Sequence, residues 1–299
     1  MKRVVISGYG DIGARVAQRW QAKGVRVMAL SRRPEKNKHL QALGIEPVAV
    51  DLDDPHSLQQ LPLRDAVLYH FAPPPADGET DPRLRNLLNA ITQDNLPCAV
   101  VLISTTAVYG DCGGGWVNET SSTQPQTSRG RRRLDAEQTM IHWCQQYQVP
   151  GVILRVPGIY GPDRLPLERI QSGAPILRED QSPYTNRIHA DDLAMVCVIA
   201  AEKAEAIAGR DKAYASAIYN VSDGHPGTMS QYFKDIADAH GLPRPQEISR
   251  EEAESVMSPG MLSYLRESRR VDNRKMLQEL GVELQYPDLQ AGLAALREQ

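Results

Sequence analysis

Three glycines near the amino terminus are spaced to hold phosphates. Val4-Val5-Ile6-Ser7-Gly8-Tyr9-Gly10-Asp11-Ile12-Gly13 sets Gly8, Gly10 and Gly13 in the order G-x-G-x-x-G directly after an apolar run. Gly8 can take a tight turn without a Cβ penalty. Gly10 lets a pyrophosphate approach the backbone, and Gly13 lets a following helix lie close on the strand. Tyr9, Asp11 and Ile12 complete the loop and helix start, where free N–H groups and the positive end of the helix dipole face an anion. A ligand-free strand-to-helix turn uses the same glycines. The second apolar stretch, Val25 to Leu30, follows at βαβ distance and favours the dinucleotide reading.

That second stretch ends in Ser31-Arg32-Arg33-Pro34. An acidic residue here would bind the two ribose hydroxyls of NAD. A hydroxyl and two guanidiniums suit a 2′-phosphate instead. The expected cofactor is therefore NADP(H), with NAD(H) as the alternative and a solvated basic loop as the structural reading. Asp51 and Leu52, after a third apolar stretch, are placed to flank an adenine. Phe71, Ala72 and Pro73, after a fourth, lie where the carboxyl edge of a sheet receives ligands.

The elements that position these residues alternate. Strands are expected over 4–7, 25–30, 46–50, 66–71, 98–104 and 152–156, with a late one near 217–222. Helices are expected after Gly10, at Pro55, over 82–95 with Leu84, Leu87, Leu88 and Ile91 on one stripe, and over about 131–148. The nearly continuous apolar run Cys98 to Ser104 belongs in the middle of a parallel sheet. Alternation throughout predicts an α/β fold, a doubly wound parallel sheet of Rossmann type. Residues 1–160 and the late strand make this domain. Residues 161–188 and 223–270, richer in Pro, Gly and charge, make a smaller substrate-side domain.

Composition excludes several classes. The charge is nearly balanced, 34 basic against 37 acidic residues, so no nucleic-acid or membrane partner is expected. No apolar run is long enough to span a bilayer. Met1-Lys2-Arg3 runs straight into the first strand, so no leader and a cytoplasmic location are expected. Cys98, Cys112, Cys144 and Cys197 are scattered, as suits free thiols, and no His/Cys/Asp cluster has metal spacing.

Taken together, the segments resemble the extended short-chain dehydrogenase/reductase superfamily, its NAD-dependent epimerase/dehydratase group. Ser104-Thr105-Thr106-Ala107-Val108-Tyr109-Gly110 is similar to the family's strand-end motif. Arg155-Val156-Pro157-Gly158-Ile159-Tyr160-Gly161-Pro162 is similar to its R-x-x-N-x-Y-G-P pattern, and Arg187-Ile188-His189-Ala190-Asp191-Asp192 to its I-H-V-D-D segment. The glycine spacing points to the atypical branch. The resemblance implies a nicotinamide cofactor, a small-molecule substrate and a monomer or homodimer. It also adds Ser104, Arg133 and Pro157 to the cofactor contacts.

The resemblance breaks at the catalytic helix. The family has a Tyr and, four residues on, a Lys; here Arg129 and Arg133 stand at those places. The usual mechanism needs a phenol that moves a proton, with a cation to lower its pKa and hold the ribose. A guanidinium cannot exchange protons near neutral pH. Thr105, matching the family's catalytic Ser/Thr, can still bond a substrate oxygen, and Tyr109 is the nearest replacement acid. Arg129 and Arg133 then read as solvated charge, as an anion site for a carboxylate or phosphate, or as the mark of a chain that keeps the cofactor as a signal. The preferred function is an NADP(H)-dependent oxidoreductase or epimerase-like enzyme acting on a small anionic substrate. The alternative is a non-catalytic NADP(H)-binding regulator that recruits a protein partner. His189 is expected to be structural, and Asp191 and Asp192 to cap the following helix.

Overall fold

The computed structural model describes residues 3–33, 35, 37–208 and 216–297. Pro34 and residues 209–215 therefore lie outside the described residues. Seven parallel strands form the central sheet: β1 (Arg3–Ser7), β2 (Arg26–Ser31), β3 (Glu46–Ala49), β4 (Ala66–His70), β5 (Ala99–Thr105), then Gly151–Val156 and Ser216–Asn220. Their spatial order runs from the Ser216–Asn220 strand through Gly151–Val156, β5, β4, β1 and β2 to β3. The chain reverses its direction of growth between β1 and β4, which pair in parallel from Arg3 opposite Ala66 to Ser7 opposite His70. A crevice opens at the carboxyl ends of such a pair because the two connections leave in opposite directions.

Strand residues alternate between two cores. Val4 and Ile6 of β1 face one side, where α1 (Asp11–Ala22) packs with Val16, Ala17 and Trp20; Val5 faces the other. That other side carries α3 (Pro82–Asn89) and α4 (Ser128–Tyr147), through Leu84, Leu87, Leu88, Met140 and Trp143. The apolar stripe of α3 is thus absorbed by its own sheet. The first side also carries α2 (Asn37–Ala42), through Leu40, and α6 (Ala190–Ala208). The helix expected over 82–95 stops at Asn89. The Asn95 side chain instead bonds the backbone of Leu61, Leu63 and Arg64, and those bonds hold the segment in a separate turn.

Past Pro162 the chain builds a smaller assembly over the carboxyl edge of the sheet. Ile170 of α5 (Leu167–Gln171) and Ile176 pack with Phe233, Ile236 and Ala237 of α7 (Met229–Ala239) and with Leu293. A second apolar cluster joins Leu177, Ile248, Ala253 and Leu265. Neither Asp at the start of α6 is its cap, because the helix begins before them at Ala190. Asp191 pairs with Arg15 at 2.6 Å. Asp192 accepts the backbone N–H groups of Gln285 and Tyr286 at 2.8 and 2.9 Å, so it anchors the returning chain.

Candidate active site

The glycine turn abuts the loop after β4. Ser7 O accepts from Phe71 N at 2.7 Å and from Ala72 N at 3.1 Å. Gly8 has φ +93°, and a Cβ there would fall 2.2 Å from Ala72 N. Gly8 is required twice, by its dihedral and by this close approach. A Cβ at Gly13 would meet Gly8 O at 3.0 Å, whereas a Cβ at Gly10 would project into open space. That open space is the face a phosphate would approach.

Around it runs a groove in two parts. One part is lined by Gly8, Tyr9, Gly10, Ser31, Arg32, Arg33, Phe71 and Pro73. The other is lined by Gly8, Arg32, Asp51, Leu52, Ala72, Pro73 and Arg83, together with Asp53. The Ser31 hydroxyl bonds the backbone of Arg33 and shapes the turn. Asp53 is held by Arg83 through two contacts of 2.7 and 2.6 Å and lies 3.8 Å from Arg32.

Beyond the ends of β5 and the Gly151–Val156 strand lies a larger cavity of about 580 Å³. Thr105 and Pro157 enter it from the sheet, Arg129 from the start of α4, and Arg187, Tyr232, Glu267 and Arg269 from the smaller assembly. The Thr127 side chain caps α4 by accepting from Gly130 N at 3.2 Å. Gly130 lets the helix start close against the exit of β5, since a Cβ there would sit 2.8 Å from Ala107 O. That approach brings Arg129 into the same cavity lining as Thr105, and its guanidinium lies 3.9 Å above the Tyr264 ring. Thr105 Oγ1 accepts from Ala107 N at 3.2 Å, which leaves its proton free to donate.

The sequence matches the NAD dependent epimerase/dehydratase family over residues 4–221. The chain belongs to that family. No curated protein matches it. Among solved structures it is similar to a functionally unknown conserved protein from Silicibacter pomeroyi, at 29% identity and TM-score 0.81, covering 100% of this chain and 99% of the other. It is also similar to the Thermus thermophilus UDP-glucose 4-epimerase in complex with NAD, at 22% identity and TM-score 0.75 over 97% and 96% of the two chains. A third is the Bacillus cereus UDP-glucuronic acid 4-epimerase with NAD, at 19% identity and TM-score 0.73 over 98% and 96%.

Within this epimerase/dehydratase frame, five expected site residues line neither the groove nor the cavity. Tyr109 is 2% exposed; its hydroxyl donates to Asn220 Oδ1 at 2.7 Å and accepts from Arg155 Nη1 at 3.0 Å. Burial pushes its pKa up, and that enclosure removes it as a proton donor to the cavity. The Ser104 hydroxyl donates to Glu137 Oε1 at 2.5 Å inside the core, so its side chain does not face a cofactor. Arg133 does not line the cavity with Thr105 and Arg129. Burial lowers its pKa, and its Nη1 has no hydrogen-bond partner. Asp11 directs its carboxylate to Arg15 and to Arg164, bridging the helix start to the smaller assembly, and Ile12 is buried in the core. These two serve the turn rather than the groove wall. His189 is buried; its Nδ1 accepts from Asp191 N, and its ring meets Tyr160 edge to face and Tyr286 at a tilt.

Sequence reasoning missed Arg83 and Asp53 on the groove and Arg187, Glu267 and Arg269 in the cavity. Arg187 carried one signal, its place at the head of the I-H-A-D-D segment. Glu267 and Arg269 sit in a stretch with no motif. Among the described residues no cluster suits a metal ion, and no helix is long and apolar enough to cross a membrane.

Proposed function

We propose that this family member is an NADP(H)-dependent enzyme of oxidoreductase or epimerase type acting on a small anionic substrate. The observation that carries the substrate class is the charge of the cavity. Arg164 is paired with Asp11 and Arg269 with Glu267. Arg129 and Arg187 line the same cavity and, among the described residues, have no carboxylate within ion-pair distance. Guanidiniums that line a cavity with no carboxylate in ion-pair range suit an anion. The nucleotide-sugar epimerases with NAD among the similar structures support the same class.

The groove fits a dinucleotide. Open space at Gly10 suits the pyrophosphate, and Asp51, Leu52, Ala72 and Pro73 suit the adenine side. Arg32 and Arg33, exposed beside Ser31, suit a 2′-phosphate. When bound, the cofactor supplies hydride chemistry at its nicotinamide. Thr105 donates its hydroxyl proton to a substrate oxygen, Arg129 holds an anionic group, and Pro157 walls the site beside them.

Titration of NADPH and NADH, followed by a turnover screen with keto acids, aldehydes and nucleotide sugars, tests the reading. No response to any nicotinamide dinucleotide at millimolar concentration overturns it. A second reading, a non-catalytic NADP(H)-binding regulator, is favoured by Arg129 at the place of the family Tyr. It expects cofactor binding with no turnover and a protein partner whose affinity follows cofactor state.

A further inference from the structure

Gly158 and Arg187 lie opposite each other where the Gly158–Tyr160 and Arg187–His189 strands pair. A Cβ on Gly158 would fall 2.5 Å from Arg187 Nη1. Gly158 stands at the position of the Asn in the R-x-x-N-x-Y-G-P pattern. The missing side chain is the room through which the Arg187 guanidinium reaches the cavity. There it packs 3.9 Å over the Tyr232 ring and donates to Asn186 O at 2.9 Å. Its Nε is sealed from solvent and has no partner.

Glu267 lines the same cavity and is 6% exposed. Its Oε2 accepts from Arg269 Nη2 at 2.9 Å, while its Oε1 is sealed without a partner. Asn186 ties the two residues into one frame. Its Nδ2 donates to Arg269 O at 3.1 Å, and its Oδ1 accepts from Val271 N at 2.8 Å. The cavity lining thus carries a cation with no carboxylate within ion-pair distance among the described residues, Asp223 acting on it only from farther away, and a carboxylate tied through one oxygen to Arg269. A guanidinium with no carboxylate in ion-pair range gains most from an anionic occupant, and a carboxylate lining the same cavity gains most from one that donates a hydroxyl.

We propose that Arg187 and Glu267 form a paired subsite selecting a substrate that carries both an anionic oxygen and a hydroxyl donor, the first taken by Arg187 and the second by Glu267. This rests on the reading of the cavity as the substrate site. The anion is a carboxylate or a phosphate, since a guanidinium serves both.

Four six-membered-ring probes separate the requirements: D-glucuronate, glucose 6-phosphate, D-glucose and cyclohexanecarboxylate. Their binding is measured by calorimetry with and without saturating NADPH. At least one anionic sugar is expected to bind about tenfold or more tightly than glucose, which lacks the anion, and than cyclohexanecarboxylate, which lacks the hydroxyls. Which anionic sugar leads tells carboxylate from phosphate. Arg187→Met is expected to erase the advantage over glucose, and Glu267→Gln the advantage over cyclohexanecarboxylate. Gly158→Ala is expected to reproduce the Arg187→Met pattern with the guanidinium chemically intact, because the added methyl displaces it. NADPH affinity should stay unchanged in all three variants, which shows that they remain folded. Equal binding of the four probes, binding of none, or variants that weaken all four equally overturns the subsite. A protein that ranks the probes as expected yet ignores nicotinamide cofactors keeps the subsite and loses the enzyme reading.

Discussion

Arg155 and Glu137 are locked together across the sheet–helix boundary. Nη2 donates to Oε2 at 2.8 Å and Nε to Oε1 at 3.1 Å, with both side chains almost fully buried. Burial opposes the charge on Arg155, but the hydrogen bonds and charge of Glu137 outweigh it and raise its pKa. Arg155 also donates to the Tyr109 hydroxyl, and Glu137 accepts from Ser104. The pair fixes α4 against the strand ends, and α4 carries Arg129 into the cavity.

Removing one partner of this pair strands a buried charge. Glu137→Ala is expected to cost about 3–5 kcal/mol in urea unfolding. Pairing it with Arg155→Leu should recover much of that loss. A double variant no better than the single one would show that the pair's geometry, rather than the stranded charge, carries the cost.

Gly8 and Gly10 should fail differently. Gly8→Ala forces a Cβ against the Ala72 backbone at a left-handed φ, so the melting temperature should drop by several degrees or more. Gly10→Val has room in the free chain and should keep its melting temperature while weakening NADPH binding more than about tenfold. Unchanged NADPH affinity in Gly10→Val would place the cofactor elsewhere.

Cofactor preference is tested at Arg32 and Arg33. Each charge-assisted contact to phosphate is worth roughly 1.5–3 kcal/mol, so NADPH should bind at least about tenfold more tightly than NADH. Arg32→Ala with Arg33→Ala should abolish the difference. Asp53, 3.8 Å from Arg32, competes for that cation, and Asp53→Asn should widen the preference. Equal affinities in the unaltered protein would refute the NADP(H) reading.

Thr105 and Arg129 separate enzyme from regulator. Turnover, where found, should fall about 10²-fold in Thr105→Ala, the lower end expected for a group acting on the reacting oxygen. Arg129→Ala should mainly raise KM for an anionic substrate. Turnover untouched by Thr105→Ala removes Thr105 from the site. No turnover, with cofactor-dependent recovery of a partner, favours the regulator.

Two buried groups set opposing pH dependences. Burial, then the charges of Arg133 and Arg83, lowers the His70 pKa to about 3. As pH falls below the ordinary histidine range, only the unfolded chain takes up this proton. Folding stability then falls by about 1.4 kcal/mol per pH unit until the folded value is reached. Burial raises Asp223 to about 6 from 3.8. There the folded chain holds the proton longer, so stability from this group is lost as pH rises through that window. Between pH 4 and 6, His70→Leu should flatten the loss on acidification, and Asp223→Asn should deepen it relative to the unaltered protein. Unfolding curves with the same pH slope in all three proteins would contradict both assignments.

The doubly wound sheet was legible in the sequence because its signals are local. Apolar runs, glycines and strand–helix alternation depend on nearest neighbours, and β1, β2, β4 and β5 fell within a residue or two of their expected places. The groove residues Gly8, Gly10, Ser31, Arg32, Asp51, Leu52, Phe71 and Pro73 were legible for the same reason, since each follows directly on a strand end. The cavity was decided only by tertiary structure. Tyr109 and Thr105 are four residues apart, yet the turn over Thr106–Tyr109 sends one phenol into the core and leaves the hydroxyl at the cavity. Arg187 and Glu267 are distant in sequence and come to line one cavity because Asn186 bonds the chain at Arg269 and Val271. Arg187 enters only because Gly158, opposite it on a paired strand, has no side chain. Which side of an element a residue faces and whose space it fills are set by long-range packing, and no stretch of this sequence encodes that by itself.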